Sequence, residues 1–332
     1  MKIGIVGATG EVGQMMLKNL EEFGVEIDEL RVFASARSAG KQVLFKQKNI
    51  IVEELSQEFM EEKFDYLLFS AGSAISKIYV PYAVEAGNTV IDNSSAFRGD
   101  YKIPLVVPEI NGELLNDYQG IVANPNCSTI QIAIALHTLG LQNNIARVVI
   151  TTLQSVSGSG HQGISTLEKQ RKGSLDLGNY PKQIDLNVIP QIGDFAEDGY
   201  CEEEQKLKNE MRRLLASPKL EIVATVTRVP VIYGHSASVF VEFAEEVDLQ
   251  SLKDALSAAD AIQFDEEYTT PLDLQESNDS HVSRLRYAFD KKSIQFWNVA
   301  HNVRLGAATN AVKIMLYMAG LKDKISSDYS SK

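Results

Sequence analysis

A short apolar run, Lys2-Ile3-Gly4-Ile5-Val6, breaks directly into Gly7-Ala8-Thr9-Gly10-Glu11-Val12-Gly13 and then into a helical pattern. No other feature narrows the fold as much. A strand feeding a glycine-rich turn that opens a helix is the start of a βαβ unit, and such units impose a parallel sheet covered by helices. The rest of the first half keeps the same rhythm. Strands are expected at Lys2–Val6, Leu30–Phe33, Tyr66–Phe69, Thr89–Ile91 and Ile121–Ala123, with helices at Val12–Glu22 and Ile75–Ala86.

The glycine spacing is G-x-x-G-x-x-G. Its glycines allow a tight turn, a close backbone approach to a pyrophosphate and close helix–strand packing, with phosphates at the helix N-terminus. The alternative is a glycine-rich turn in a nucleotide-free fold. In the N-terminal strand–loop–helix context, the expectation is a Rossmann-type dinucleotide-binding domain of the α/β class. The second strand ends Phe33-Ala34-Ser35-Ala36-Arg37-Ser38 with no carboxylate at its tip. An NAD site usually presents an acidic residue there, whereas a 2′-phosphate wants a basic group and hydroxyls, so Ser35, Arg37 and Ser38 favour NADP, the alternative being a solvated loop with one incidental arginine. Lys41 reads equally as surface charge.

A chain of 332 residues is long for one core, so two domains are expected. The register changes after Cys127. A helix over Thr129–Leu139 precedes the β-branched run Val148–Thr152, a charged helical stretch at Glu202–Leu215, and strands at Glu221–Val226 and Ala237–Phe243. That mixture reads as a second, α+β domain. Gly306–Ala319 has helical periodicity suited to packing back on the first domain, and Ser326–Lys332 reads as a frayed end. The expected division is 1–126 plus 307–332 for the dinucleotide and 127–306 for a catalytic domain.

A net charge of −12 opposes a broad nucleic-acid surface, and no stretch approaches the roughly 20 apolar residues of a membrane span. The first residues lack the basic and apolar regions of a secretory signal, so a cytoplasmic protein is expected. Two cysteines are too few for a disulfide framework.

Those two cysteines differ in surroundings. Cys127, in Asn124-Pro125-Asn126-Cys127-Ser128-Thr129, stands in the first turn of a helix, where aligned N–H dipoles favour thiolate and can hold the oxyanion of a carbonyl adduct. Cys201 precedes Glu202, Glu203 and Glu204, which oppose a thiolate, so it reads as a structural or tolerated surface position. A cysteine nucleophile needs a base. His137 falls within a helix and His161 in a Ser/Gly loop, while His281 and His301 have no clear partner motif. His235 follows Arg228 by seven residues at a loop-to-strand junction, and on composition alone it is as good a structural as a catalytic histidine.

The ordered set Gly7–Gly13, Asn93-Ser94-Ser95-Ala96-Phe97-Arg98, Asn124–Thr129, Gln154-Ser155-Val156-Ser157-Gly158 and Arg228…His235-Ser236 closely resembles the aspartate-semialdehyde dehydrogenase family, over nearly the whole chain. The resemblance implies an NADP-binding domain joined to a catalytic and dimerisation domain, and at least a homodimer. It implies reversible, phosphate-dependent oxidation of L-aspartate 4-semialdehyde to L-4-aspartyl phosphate, run reductively in lysine, methionine and threonine biosynthesis. It gives Cys127 the thioester role and makes His235 the general acid/base that accepts the thiol proton. Gln154 and Asn126 would contact substrate, Arg228 its carboxylate and Glu203 its ammonium. Glu202 leaves the glutamate open by one residue, and the whole run also reads as a solvated helical face. Arg98 and Lys206 match phosphate positions. Thr9, Gly10, Glu11, Val12, Arg37, Ser38, Ser157, Gly158 and Asn310 match cofactor contacts, Asn310 being equally a helix-start residue. No metal is implied.

Overall fold

The computed structural model describes residues 1–274 and 276–327. Contacts divide the chain into two units: Met1–Pro125 with the described residues from Ala307 onward, and Asn126–Gly306.

The first unit is the α/β domain. Its strands are β1 (Lys2–Val6), β2 (Glu29–Ala34), a hairpin of β3 (Gln42–Phe45) and β4 (Lys48–Ile51), β5 (Glu53–Glu54), β6 (Tyr66–Phe69), β7 (Thr89–Asp92) and β8 (Ile121–Ala123). The main sheet is parallel in the order β5-β2-β1-β6-β7-β8, the reversal on either side of β1 that marks a doubly wound fold. Ile3, Ile5 and Val6 are fully buried, as expected of a strand covered on both faces. Helices α1 (Glu11–Glu22), α2 (Gln57–Met60), α3 (Ser73–Glu85) and α4 (Pro108–Asn111) complete the first pass.

The second unit begins with α5 (Cys127–Gly140) and β9 (Ile145–Gln154), followed by α6 (Gly160–Arg171), α7 (Glu202–Leu214), β10 (Glu221–Arg228) and β11 (His235–Phe243). Next come α8 (Leu249–Ala258), β12 (Ile262–Asp265), β13 (Ser280–Tyr287) and β14 (Ser293–Ala300). These strands form one mixed sheet, β10-β9-β11-β14-β13-β12. Helix α5 is buried at every position from Ser128 to Leu136, so its apolar residues run all round it rather than along one stripe.

The chain re-enters the first unit through a π-helical turn, Arg304–Thr309, and α9 (Asn310–Met318), which packs against α1, α4 and β7, before α10 (Lys322–Ser327). Ser326 and Ser327, read from sequence as part of a frayed end, close α10; residues 328–332 lie outside the described set. His161 sits in the first turn of α6 rather than in a loop. Cys201 is wholly buried at the start of α7, which removes the surface alternative for it. The sequence reading passed over β12, β13 and β14. Polar residues interrupt their apolar runs, as in Ser280-His281-Val282-Ser283-Arg284, and only burial of one face makes the period visible.

Candidate active site

In the first unit, the glycine-rich turn is built as its spacing requires. Gly7 has φ +86°, and a Cβ there would lie 2.4 Å from the Ser70 carbonyl oxygen. A Cβ on Gly13 would come 2.3 Å from the Gly7 carbonyl, so the glycine lets α1 close on the turn. Gly10 caps α1, and Thr9, Gly10, Glu11 and Val12 are half-buried at its N-terminus. Arg37 and Ser35 are exposed beyond β2, whereas Ser38 is buried, its N–H donating to the Ser35 carbonyl. Register also brings Glu54 opposite Ala34, a carboxylate near the β2 tip that the sequence reading did not anticipate. Its neighbour Glu53 is held by Arg31 at 2.6 Å.

Two more candidates lie in this unit. Arg98 donates to the carbonyls of Asn124 at 2.8 Å and Asn93 at 2.6 Å. Asn310 is the first residue of α9 and is buried, with Nδ2 donating to Asn124 Oδ1 and the Val106 carbonyl. Its Oδ1 is buried without a hydrogen-bond partner among the described residues.

The second unit gathers the rest, and strand register is the reason. β10 runs parallel to β9 with Arg228 beside Gln154, and β11 runs antiparallel to β9 with Ser236 beside Leu153. Gln154, Arg228 and His235 therefore stand at one end of three adjacent strands. All three are buried. The α5 N-terminus meets that end, because Gln154 Nε2 donates to Ser128 Oγ.

Asn126 is the N-cap of α5, its Oδ1 accepting from Ser128 N–H at 2.9 Å. Its backbone N–H donates to Glu210 at 2.6 Å and its Nδ2 to Glu203 Oε1 at 2.9 Å. Glu203 Oε1 also accepts from Gln154 Nε2 at 3.2 Å, while Lys206 Nζ is 4.0 Å from Oε2. Glu203 is thus buried against Asn126 and Gln154 and not part of a solvated face. Glu202 is largely exposed, and Glu204 turns back to the Cys201 N–H and the Val226 N–H. Cys127 itself is half-buried on the first turn, backed by Gly306.

His235 is 1% exposed. Its Nδ1 lies 3.0 Å from the Ser155 N–H, which donates to it, and 3.0 Å from Ser155 Oγ. With Nδ1 an acceptor, the neutral ring carries its hydrogen on Nε2. That nitrogen is buried without a partner. Burial first, then the charge of Arg228, hold the ring well below the usual histidine range, against a contact with the Gly234 carbonyl that works the other way. The ring is therefore neutral, with its hydrogen on Nε2. Arg228 Nη1 donates to the Ser155 carbonyl at 2.7 Å, and a cavity of about 370 Å³ beside it is lined by Ser159, Tyr180, Gln191 and Asp194. Ser157 and Gly158 lie in this unit, with Gly158 against both Arg228 and His235.

Sequence reasoning missed Glu210 and Asn302. Glu210 lies seven residues after Glu203 on the same face of α7, a helical spacing that could have exposed it. Asn302 carries no local signal.

Residues 2–118 match the family model described as semialdehyde dehydrogenase, NAD binding domain, and residues 136–305 the semialdehyde dehydrogenase, dimerisation domain. The chain is 41% identical to an aspartate-semialdehyde dehydrogenase of Aquifex aeolicus, covering 94% of this chain and 96% of the relative. It is 38% identical to that of Bacillus subtilis, covering 95% and 96%. The fold is similar to the crystal structure of aspartate semialdehyde dehydrogenase II from Vibrio cholerae complexed with ASA, with TM-score 0.93, 39% identity, and 96% and 98% coverage.

Proposed function

The chain belongs to the aspartate-semialdehyde dehydrogenase family, and from that premise we propose that it interconverts L-aspartate 4-semialdehyde plus phosphate with L-4-aspartyl phosphate, using NADP and a Cys127 thioester. The observation that carries this reading is the convergence of the Cys127 helix end, Gln154, Glu203, Arg228 and His235 within one unit.

In the oxidative direction Cys127 adds as thiolate to the aldehyde carbon. His235 shares its Nε2 hydrogen with the oxygen as charge grows there, helped by the N–H groups that open α5. Loss of hydride from the adduct, for which a bound dinucleotide would supply the acceptor, would leave the Cys127 thioester, and phosphate would displace the thiolate to give the acyl phosphate. The unpartnered buried Gln154 Oε1 and His235 Nε2 support a ligand between them, since such atoms are costly in an empty site. Arg228 offers a guanidinium for the substrate carboxylate and Glu203 an acceptor for its ammonium. Arg98 and Lys206 are assigned to phosphate.

When bound, the dinucleotide supplies the hydride acceptor. Thr9 to Val12 would hold its pyrophosphate, and the exposed Arg37 with Ser35 its 2′-phosphate, with Ser38 near by. Ser157, Gly158 and Asn310 are assigned to its remaining contacts. A homodimer is proposed from the description of the matched second domain. Among the described residues no helix is long and apolar enough to cross a membrane, and a cytoplasmic site of action is proposed.

Purified protein with L-aspartate semialdehyde, NADP⁺ and phosphate should generate reduced-nicotinamide absorbance that needs all three. Faster turnover with NAD⁺ would overturn the NADP assignment alone. Absence of any phosphate-dependent signal from folded protein would overturn the function.

A further inference from the structure

Asn302, two residues past the end of β14, is 3% exposed and belongs to none of the roles above. Its Oδ1 accepts from the Gly234 N–H at 2.9 Å and lies 3.1 Å from Ser155 Oγ; its Nδ2 donates to Ser157 Oγ at 2.9 Å. One amide therefore holds the residue before His235, the serine that touches His235 Nδ1, and the turn that carries Gly158. Tyr233 and His301, their immediate neighbours, stack with ring centroids 5.3 Å apart, which fixes the two backbones further.

The Ser155 hydroxyl has one hydrogen and three neighbours that can take it: His235 Nδ1 at 3.0 Å, Asn302 Oδ1 at 3.1 Å, and Ser157 Oγ at 3.1 Å, which already accepts from Asn302 Nδ2. With the ring neutral, the hydroxyl can donate to Nδ1. If Nδ1 gains a proton, the hydroxyl can accept from it, and its own hydrogen then needs another acceptor. Asn302 Oδ1 is placed to be that acceptor.

We propose that Asn302 is the positioning residue of the acid/base centre: through Ser155 and Gly234 it orients His235, and it receives the Ser155 hydroxyl hydrogen when the ring is protonated. This rests on the proposed dehydrogenase activity for its kinetic consequence but not for its geometry. Among the described residues Asn302 makes no hydrogen bond to Cys127 or Arg228, so the effect falls on turnover. The charged and titratable groups acting on the ring are Arg228 and His301, and neither is altered by substituting Asn302.

The test uses the full chain with Asn302→Ala and Asn302→Asp. The alanine variant should lose about 100-fold in kcat, the scale of a roughly 1 Å misplacement, with KM for the aldehyde within about threefold of wild type. The aspartate variant keeps the acceptor oxygens and adds negative charge, so it should move the acidic limb of the kcat profile to higher pH by about one unit. If the alanine variant does not fold, the aspartate variant decides alone. An unmoved profile there, or wild-type kcat in both variants, overturns the proposal. ¹⁵N-histidine spectra, with His235 assigned by a His235→Gln control, give a readout independent of turnover. The His235 titration should shift upward in Asn302→Asp, even if the wild type proves inactive with this aldehyde; no shift overturns the proposal.

Discussion

Gly306 stands directly behind Cys127, so that a Cβ built on it would lie 2.8 Å from the Cys127 Cβ and 3.1 Å from its Cα. Real Cβ atoms do not approach that closely, and the contact is with the first turn of a buried helix rather than with a flexible side chain. Gly306→Ala should displace the nucleophile by several tenths of an ångström, lowering kcat by about 10–100-fold while destabilising the fold by about 1–3 kcal/mol. Turnover, thermal melting and the rate of Cys127 alkylation report the three effects. Unchanged turnover would show that the helix end yields without consequence.

Gly158 has a comparable function toward the substrate side. An added Cβ would meet Arg228 Nη1 at 2.7 Å and His235 Nε2 at 3.3 Å. Gly158→Ala should raise KM for the aldehyde by about tenfold or more through the shifted guanidinium, an effect of about 1.4 kcal/mol. Steady-state kinetics check this, with aldehydes lacking the carboxylate expected to be less affected.

The two adjacent glutamates of α7 give opposite expectations. Glu203→Ala leaves Asn126 Nδ2 without its acceptor and removes the carboxylate beside Gln154, so kcat/KM should fall by at least about 30-fold. Glu202 is exposed and, among the described residues, its carboxylate pairs with Lys206 at 3.4 Å, so Glu202→Ala should stay within about threefold of wild type. Equal losses would place the ammonium site elsewhere.

Lys313 is fully buried on α9 and pairs with Glu109 of α4 at 3.0 Å. Lys313→Ala removes the ammonium from beside a buried carboxylate and should cost about 3–5 kcal/mol in urea unfolding, whereas Lys313→Met with Glu109→Leu should recover most of it. A single variant as stable as wild type would contradict a desolvated pair.

Because His235 is buried neutral, the unfolded chain binds a proton that the folded chain refuses. This contribution is fully present above the ordinary histidine value near 6.5 and is lost as pH falls below it, at about 1.4 kcal/mol per pH unit until the folded ring titrates. His235→Gln should flatten that part of the stability profile between about pH 5 and 6.5. Denaturant midpoints at each pH measure it, and an unchanged slope would mean the ring is solvated.

Much of the first unit was legible in advance because its signals are local. β1, β6 and β8 have the boundaries read from their apolar runs, and Gly7 and Gly13 do what their spacing implies. The second sheet was harder. β13 and β14 alternate buried apolar and polar residues, and polar positions such as Ser280 and Asn298 are buried as well, bonded to one another at 2.8 Å. A periodicity count treats such residues as solvent-facing, since their partners are invisible until the strands are paired.

By itself the sequence determined the parallel α/β opening, the candidate nucleophile at a helix mouth and the candidate histidine. A glycine turn, a helix N-terminus and a strand period are all written in contiguous residues. Tertiary structure decided which of Glu202, Glu203 and Glu204 faces Asn126, why Gly306 has no side chain, and that Asn302 holds the bed of His235. Those relations join residues that strand register and helix rotation bring together across distances of 67 to 179 positions, as with Asn302 and Gly234 N–H at 2.9 Å or Gly306 and Cys127. Side-chain direction turns by about 100° per helical residue and reverses at each strand residue, so only the packed fold selects the partner.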